Sequence, residues 1–187
     1  TRRRVFGLAA PVIGENLLQT LLGVVDTLLV AGLGAAALAG VGVALQVIYI
    51  ILGALSALSV GASVLVAQAV GAGERGEASR LARQALIWSV LIALPIMAVG
   101  VPLTPAVIGL FGVAPDVAAV AEGYLAVNLG AVATITLMFL ASAVLRGAGD
   151  SRTPMLVTLL ANLLNVAFSW ALIYGELGLP ALGAVGS

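Results

Sequence analysis

Residues 38–70 read LAGVGVALQVIYIILGALSALSVGASVLVAQAV, a run without a single Asp, Glu, Lys or Arg. The charge-free stretch is longer still, from 27 to 73, and three more follow at 84–115, 123–145 and 153–175. At a rise of about 1.5 Å per residue, roughly 20 apolar residues cross the hydrocarbon core of a bilayer. Each stretch therefore reads as a transmembrane helix. Barrel strands are excluded, because these runs are continuously apolar and do not alternate apolar with polar positions.

Composition gives the same answer for the whole chain of 187 residues, which is 62% hydrophobic and 9% charged, with mean hydropathy +1.22. A soluble domain carries roughly 25% charged residues. So few could not cover the surface of a soluble protein of this size. A soluble enzyme and a disordered tail are excluded together. The 8 basic and 8 acidic residues leave no net charge, so there is no basic excess for nucleic acid. Cys and His are both absent, which removes disulfides, thiol catalysis and the usual zinc sites. No catalytic constellation, metal site or cofactor motif remains. The class is an all-α integral membrane protein, a polytopic helix bundle.

Punctuation places the helices at about 6–32, 38–70, 78–101, 117–145 and 154–174, with the start of a sixth near Leu182 that stops at Ser187. Gly32-Leu33-Gly34 separates the first two. Pro102, Pro105 and Pro115 mark the connection before the fourth, where Asp116 suits an N-cap. Thr153-Pro154 reads as an N-cap followed by proline in the first turn of the fifth. The basic residues are all Arg and segregate by loop: Arg2, Arg3 and Arg4; Arg75, Arg80 and Arg83; Arg146 and Arg152. The intervening connections hold none. By the positive-inside rule the arginine side is cytoplasmic, which predicts a multi-pass protein of the inner (plasma) membrane with its N-terminus inside.

The first helix holds the polar residues that are expensive in lipid. Glu15, Gln19 and Asp26 share one side of it, at spacings of four and seven. An ionised Asp near mid-bilayer costs about 2.5–3.5 kcal/mol on insertion scales. The basic residues all lie outside the charge-free stretches, at the ends of the predicted spans, so neither acid has an expected cationic partner. Protonation is the cheap solution for such a carboxyl, and a carboxyl that gains and loses protons suits an ion-coupled carrier. Asn162, Asn165 and Ser169 form a weaker polar stripe on the fifth helix; amides in lipid serve equally well as helix–helix hydrogen bonds. The spelling GxGxxG at 71–76 follows a membrane helix, not a strand, and reads as a tight turn rather than a dinucleotide site.

Four separated segments together resemble the multidrug and toxic compound extrusion (MATE) family: PVIGENLLQTLLGVVDTLLVAGLG at 11–34, VAQAVGAGERGEASRLARQAL at 66–86, VLRGAGDSRTPM at 144–155 and NLLNVAFSWALIYG at 162–175. The resemblance implies a two-lobe transporter of twelve helices, of which this chain is the N-terminal lobe and the C-terminal lobe is absent. It implies antiport of small organic, amphipathic or cationic compounds against protons or sodium ions, with membrane lipid and the second lobe as the other partners. Asp26 falls at the family's protonation or cation-coupling position, with Asn165 in the same polar cluster. Ser169 stands where some members carry a second Asp. Glu15 is a second coupling candidate, while Gln19, Asn162, Asn165 and Ser169 are candidates for the polar lining of the cleft. Two other readings compete: a lipid-linked oligosaccharide flippase of related architecture, which needs basic residues in its cleft, and a non-transporting membrane scaffold.

Overall fold

A computed structural model describes the backbone of residues 2–174 and the side chains of 9–173. Five helices fill that range: α1 Arg2–Ala31, α2 Ala35–Gly71, α3 Arg75–Gly109, α4 Pro115–Gly147 and α5 Arg152–Tyr174. All five are long and apolar enough to cross a membrane. The expected start of a sixth helix near Leu182 lies outside the described residues.

The helices are longer than punctuation alone suggests, above all α3. Pro102 and Pro105, expected in a connection, lie inside α3 together with Pro95. In water a proline ends a helix cheaply, because solvent takes over the freed carbonyls. In hydrocarbon nothing does, so the chain stays helical through its prolines. The buried Thr104 hydroxyl donates to the Gly100 carbonyl at 3.1 Å in the same stretch. At 37 residues, α2 extends for about 55 Å and exceeds the thickness of a bilayer core.

Two expected caps are also corrected. Asp116 lies in the first turn of α4, which begins at Pro115 with Ala114 as its N-cap and no side-chain cap bond. Thr153 lies inside α5, and the capping carboxylate is Asp150. Its Oδ1 accepts from the backbone N–H groups of Arg152 and Thr153, both at 3.0 Å. Its Oδ2 accepts from the Thr153 hydroxyl. Those bonds, the Thr153 hydroxyl foremost, hold the Asp150 carboxyl below its ordinary range.

The connections are tight. Gly73 (φ 81°) follows the end of α2 and Gly149 (φ 93°) the end of α4. Each permits a reverse bond five residues back, Glu74 N–H to Ala69 C=O and Asp150 N–H to Leu145 C=O, both 2.9 Å. The segments 71–74 and 147–150 read Gly-Ala-Gly-Glu and Gly-Ala-Gly-Asp, so one sequence pattern builds the same left-handed helix stop twice.

Packing divides the bundle into two groups. α2, α3 and α4 pack extensively on one another, the α2–α4 pair most of all, while α1 pairs with α5. Contacts between the groups are sparse. Small residues set the α2–α4 distance at both ends. A Cβ on Gly40 would sit 2.8 Å from the Val117 carbonyl oxygen, and one on Gly147 only 2.5 Å from that of Ser63. Between them Ala44, Ile48, Ala121, Leu125 and Leu129 form the main core with Ile108 of α3. In the second group, Asn162 donates to the Leu18 carbonyl at 2.8 Å, and Gly14 lies against Met155. Large apolar side chains such as Leu17, Leu21, Leu28, Leu160 and Leu163 remain exposed on α1 and α5.

Gly147→Ala is expected to destabilise the protein by about 1–3 kcal/mol, because the added methyl meets a backbone carbonyl that cannot move alone. Gly53→Ala, where a Cβ meets nothing within 4 Å, is expected to be neutral or stabilising. Thermal unfolding of the two purified variants checks this; equal melting temperatures would contradict the close approach.

Candidate functional site

The sparse junction between the two groups of helices is where the polar side chains collect. Glu15 on α1 is 5% exposed. The expectation that it lacks a cationic partner is overturned: Arg146 Nη1 donates to Oε1 at 2.9 Å and to Oε2 at 2.8 Å. Arg146 belongs to the last turn of α4, which extends beyond its predicted end and carries the guanidinium back toward α1. A sequence separation of 131 residues hides this pair from any local reading. The pair compensates the Glu15 carboxylate as an ion, so the cost argument for protonation no longer applies there.

Asp26 lies about 16 Å further along the α1 axis and only about 20° around it from Glu15. It is half-buried and makes an interaction within the structure. Its field reaches Tyr124 of α4, which is buried, and Tyr124 in turn neighbours Asn128 and Tyr49. Gln19 lies about 40° from Glu15 around the helix and is exposed. With Asn16, Thr20, Gly23, Thr27 and Tyr49 it borders an open cleft of about 620 Å³. The α1 face thus splits into acids turned toward neighbouring helices and amides and hydroxyls turned toward open space.

On α5 the three candidates separate by role. Asn162 is engaged with the α1 backbone and acts as an interhelical tie. Asn165 is exposed, and its Oδ1 accepts from the buried Ser169 hydroxyl at 3.4 Å. A second cleft, about 610 Å³, runs between α2 and α4 from Tyr49 to Arg146. Its walls are mostly apolar, with Ser56, Ser59, Ser63 and Thr136 interspersed. Sequence reasoning missed Arg146, Tyr49 and Tyr124. Only the position of Arg146, one residue beyond a predicted span, signalled that it could reach inward.

A bundle of five membrane helices with two open clefts sharing Tyr49, one of them lined by the acid-bearing α1, has the architecture of a membrane transporter lobe. The MatE family model matches residues 11–171, and the chain belongs to that family. A probable multidrug resistance protein NorM of Thermotoga maritima is 37% identical over 187 residues, 100% of this chain and 40% of that protein. The multidrug resistance protein NorM of Vibrio cholerae is 31% identical over 183 residues, 96% of this chain and 39% of that protein. A solved structure of a multidrug resistance MATE family transporter in its outward-facing conformation superposes with TM-score 0.91 at 28% identity, over 98% of this chain and 40% of that one. A transporter of the same superfamily from Pyrococcus furiosus gives the same figures. This chain therefore spans about 40% of the length of the relatives it matches.

Arg146→Gln, which strands a buried carboxylate, is expected to cost about 3–5 kcal/mol, while the double variant Glu15→Gln/Arg146→Gln recovers most of that loss. A double-mutant cycle on thermal or denaturant unfolding reads the coupling. Additive effects would show that the two charges do not depend on each other.

Proposed function

We propose that this chain is the N-terminal lobe of a secondary antiporter that exports small organic, often cationic, compounds in exchange for an inward flow of protons or sodium ions. The observation that carries this reading is Asp26, a half-buried carboxyl within a membrane span, next to Thr27 of the α1 cleft. Family membership and the multidrug resistance relatives support it. The second lobe, on the remainder of a full-length chain, completes the central cavity, and lipid surrounds the exposed leucines. No step in this cycle makes or breaks a covalent bond in the substrate, so the protein acts as a carrier and not as an enzyme.

The mechanism follows from electrostatic cost. A proton on Asp26 removes a charge from the junction between α1 and α4, and its loss restores that charge. One pKa unit of difference between two conformations corresponds to about 1.4 kcal/mol. A difference of two units would bias their exchange about a hundredfold, as alternating access requires. Because contacts between the α1–α5 pair and the other three helices are sparse, a change in charge at Asp26 acts on the weakest seam of the lobe. Asn165 and Gln19 are the polar groups we assign to the same cycle, Gln19 from the rim of the α1 cleft. Glu15, already compensated by Arg146, takes a secondary part. A flippase for phosphate-linked lipids would need several basic groups inward, and among the described cleft linings Arg146 is alone.

In the full-length protein, Asp26→Asn is expected to abolish gradient-driven drug efflux while leaving membrane insertion intact, and Glu15→Gln to be milder. Dye efflux from a pump-deficient host measures both; normal efflux by Asp26→Asn would remove Asp26 from the coupling role.

The same reading puts the arginine-bearing turns in the cytoplasm of a bacterial-type inner membrane. Residues 1–187 contain no cysteine, so on a background free of other cysteines a single introduced thiol reports topology. An impermeant thiol reagent is expected to label Phe111→Cys in intact cells and Glu74→Cys only after permeabilisation. The reverse pattern would invert the orientation.

A further inference from the structure

The cleft between α2 and α4 has a polarity that export of cations does not explain. Its lining carries one charged group, the Arg146 guanidinium, and no carboxylate. Arg146 keeps 30% of its side chain exposed. Only its Nη1 is committed to Glu15, and the planar fork has five donors in all. Nε and Nη2 take no part in that pair, and Arg146 lines the cleft, so its remaining donors can serve a second acceptor. The groove is otherwise walled by residues such as Val60, Val64 and Phe139, with Ser59 and Ser63 along α2. A cation entering here would find a guanidinium at one end and no carboxylate on the lining.

We propose that this cleft binds a single-chain amphiphile with an oxyanion head, carboxylate or phosphate monoester. Its head sits on the remaining donors of Arg146, and its chain runs between α2 and α4 toward Tyr49. A volume of about 610 Å³ falls in the range that holds one drug-sized ligand, a size that suits a single acyl chain. Arg146 forms a bifurcated junction, with Glu15 on one edge and the ligand on the other. Planar guanidinium–oxyanion pairing gives the site its selectivity. The site stands apart from the coupling role of Asp26 and does not depend on it.

The test uses the full-length protein in nanodiscs and three spin-labelled probes of equal chain length: stearate, stearyl phosphate and stearyl trimethylammonium. The expected result is saturable binding of at least one anionic probe, the preferred head identifying the source chemistry, with weaker binding of the cationic probe. Glu15→Gln/Arg146→Gln, which strands no buried charge, should weaken the anionic probe about tenfold or more, the effect of losing a hydrogen bond to a charged group. Ser59→Leu, which fills the groove and leaves the ion pair intact, should weaken it as well. Anionic binding within twofold of wild type in either variant would overturn the proposal, as would equal affinity for the cationic probe.

Discussion

Hydrocarbon offers the backbone no hydrogen-bond partner, and that constraint organises everything in this lobe. It keeps α3 helical through Pro95, Pro102 and Pro105, because a broken turn would strand carbonyls where no water can reach them. It also removes the usual reason for helices to associate, since lipid chains are as apolar as leucine. What remains is close fit and polar contact. The two act in different places. Close fit, through Gly40, Gly147 and the alanines between them, joins α2 to α4. Polar contact joins α1 to its surroundings, through Asn162 to the Leu18 carbonyl and Arg146 to Glu15.

This division of labour has a functional logic. Interdigitated small residues make a seam that opens only with the loss of many contacts at once. A seam held by a few charged or hydrogen-bonded groups can be retuned by changing one of them. The α1–α5 pair meets the other three helices across the second kind of seam, and the acids of α1 lie along it. Glu15 and Asp26 share a helix, a face and a side-chain chemistry, yet their surroundings separate them. Glu15 is held by one guanidinium nitrogen, Arg146 Nη1, whereas the charge of Asp26 acts on the buried Tyr124 of α4.

The helices were legible in the sequence because lipid imposes a length and forbids charge, and both constraints are local. The turns at Gly32–Gly34 and Gly71–Gly73 were legible for the same reason. The ends of α3 and α4 were not. Proline and Asp rules calibrated on helices in water place stops where water would make stopping cheap, and Pro102, Pro105 and Asp116 were misplaced on that account. The polar stripe of α1 was visible from its spacing, but its partners were not. Arg146 counts as a loop charge until α4 is seen to carry it inward, and Tyr124 is an ordinary aromatic until the fold brings the charge of Asp26 within reach of it. Asn162 and Asn165, three apart on one helix, look alike in sequence. The structure turns one toward the α1 backbone and leaves the other exposed.

The connections that stop the helices also tether them. Between α1 and α2 lie residues 32–34, between α2 and α3 residues 72–74, and between α4 and α5 residues 148–151. Each of these contains a left-handed glycine already folded into its turn. Three or four residues span at most about 11–14 Å even when fully drawn out, and these are not drawn out. Neighbouring rods so joined have almost no slack along their lengths. They cannot slide past one another like pistons; they can only tilt about their shared ends like the legs of a compass. A tilt of α1 about Gly34 moves the far end of the helix much more than its near end. Small rearrangements at the turns thus become large displacements at the opposite membrane face.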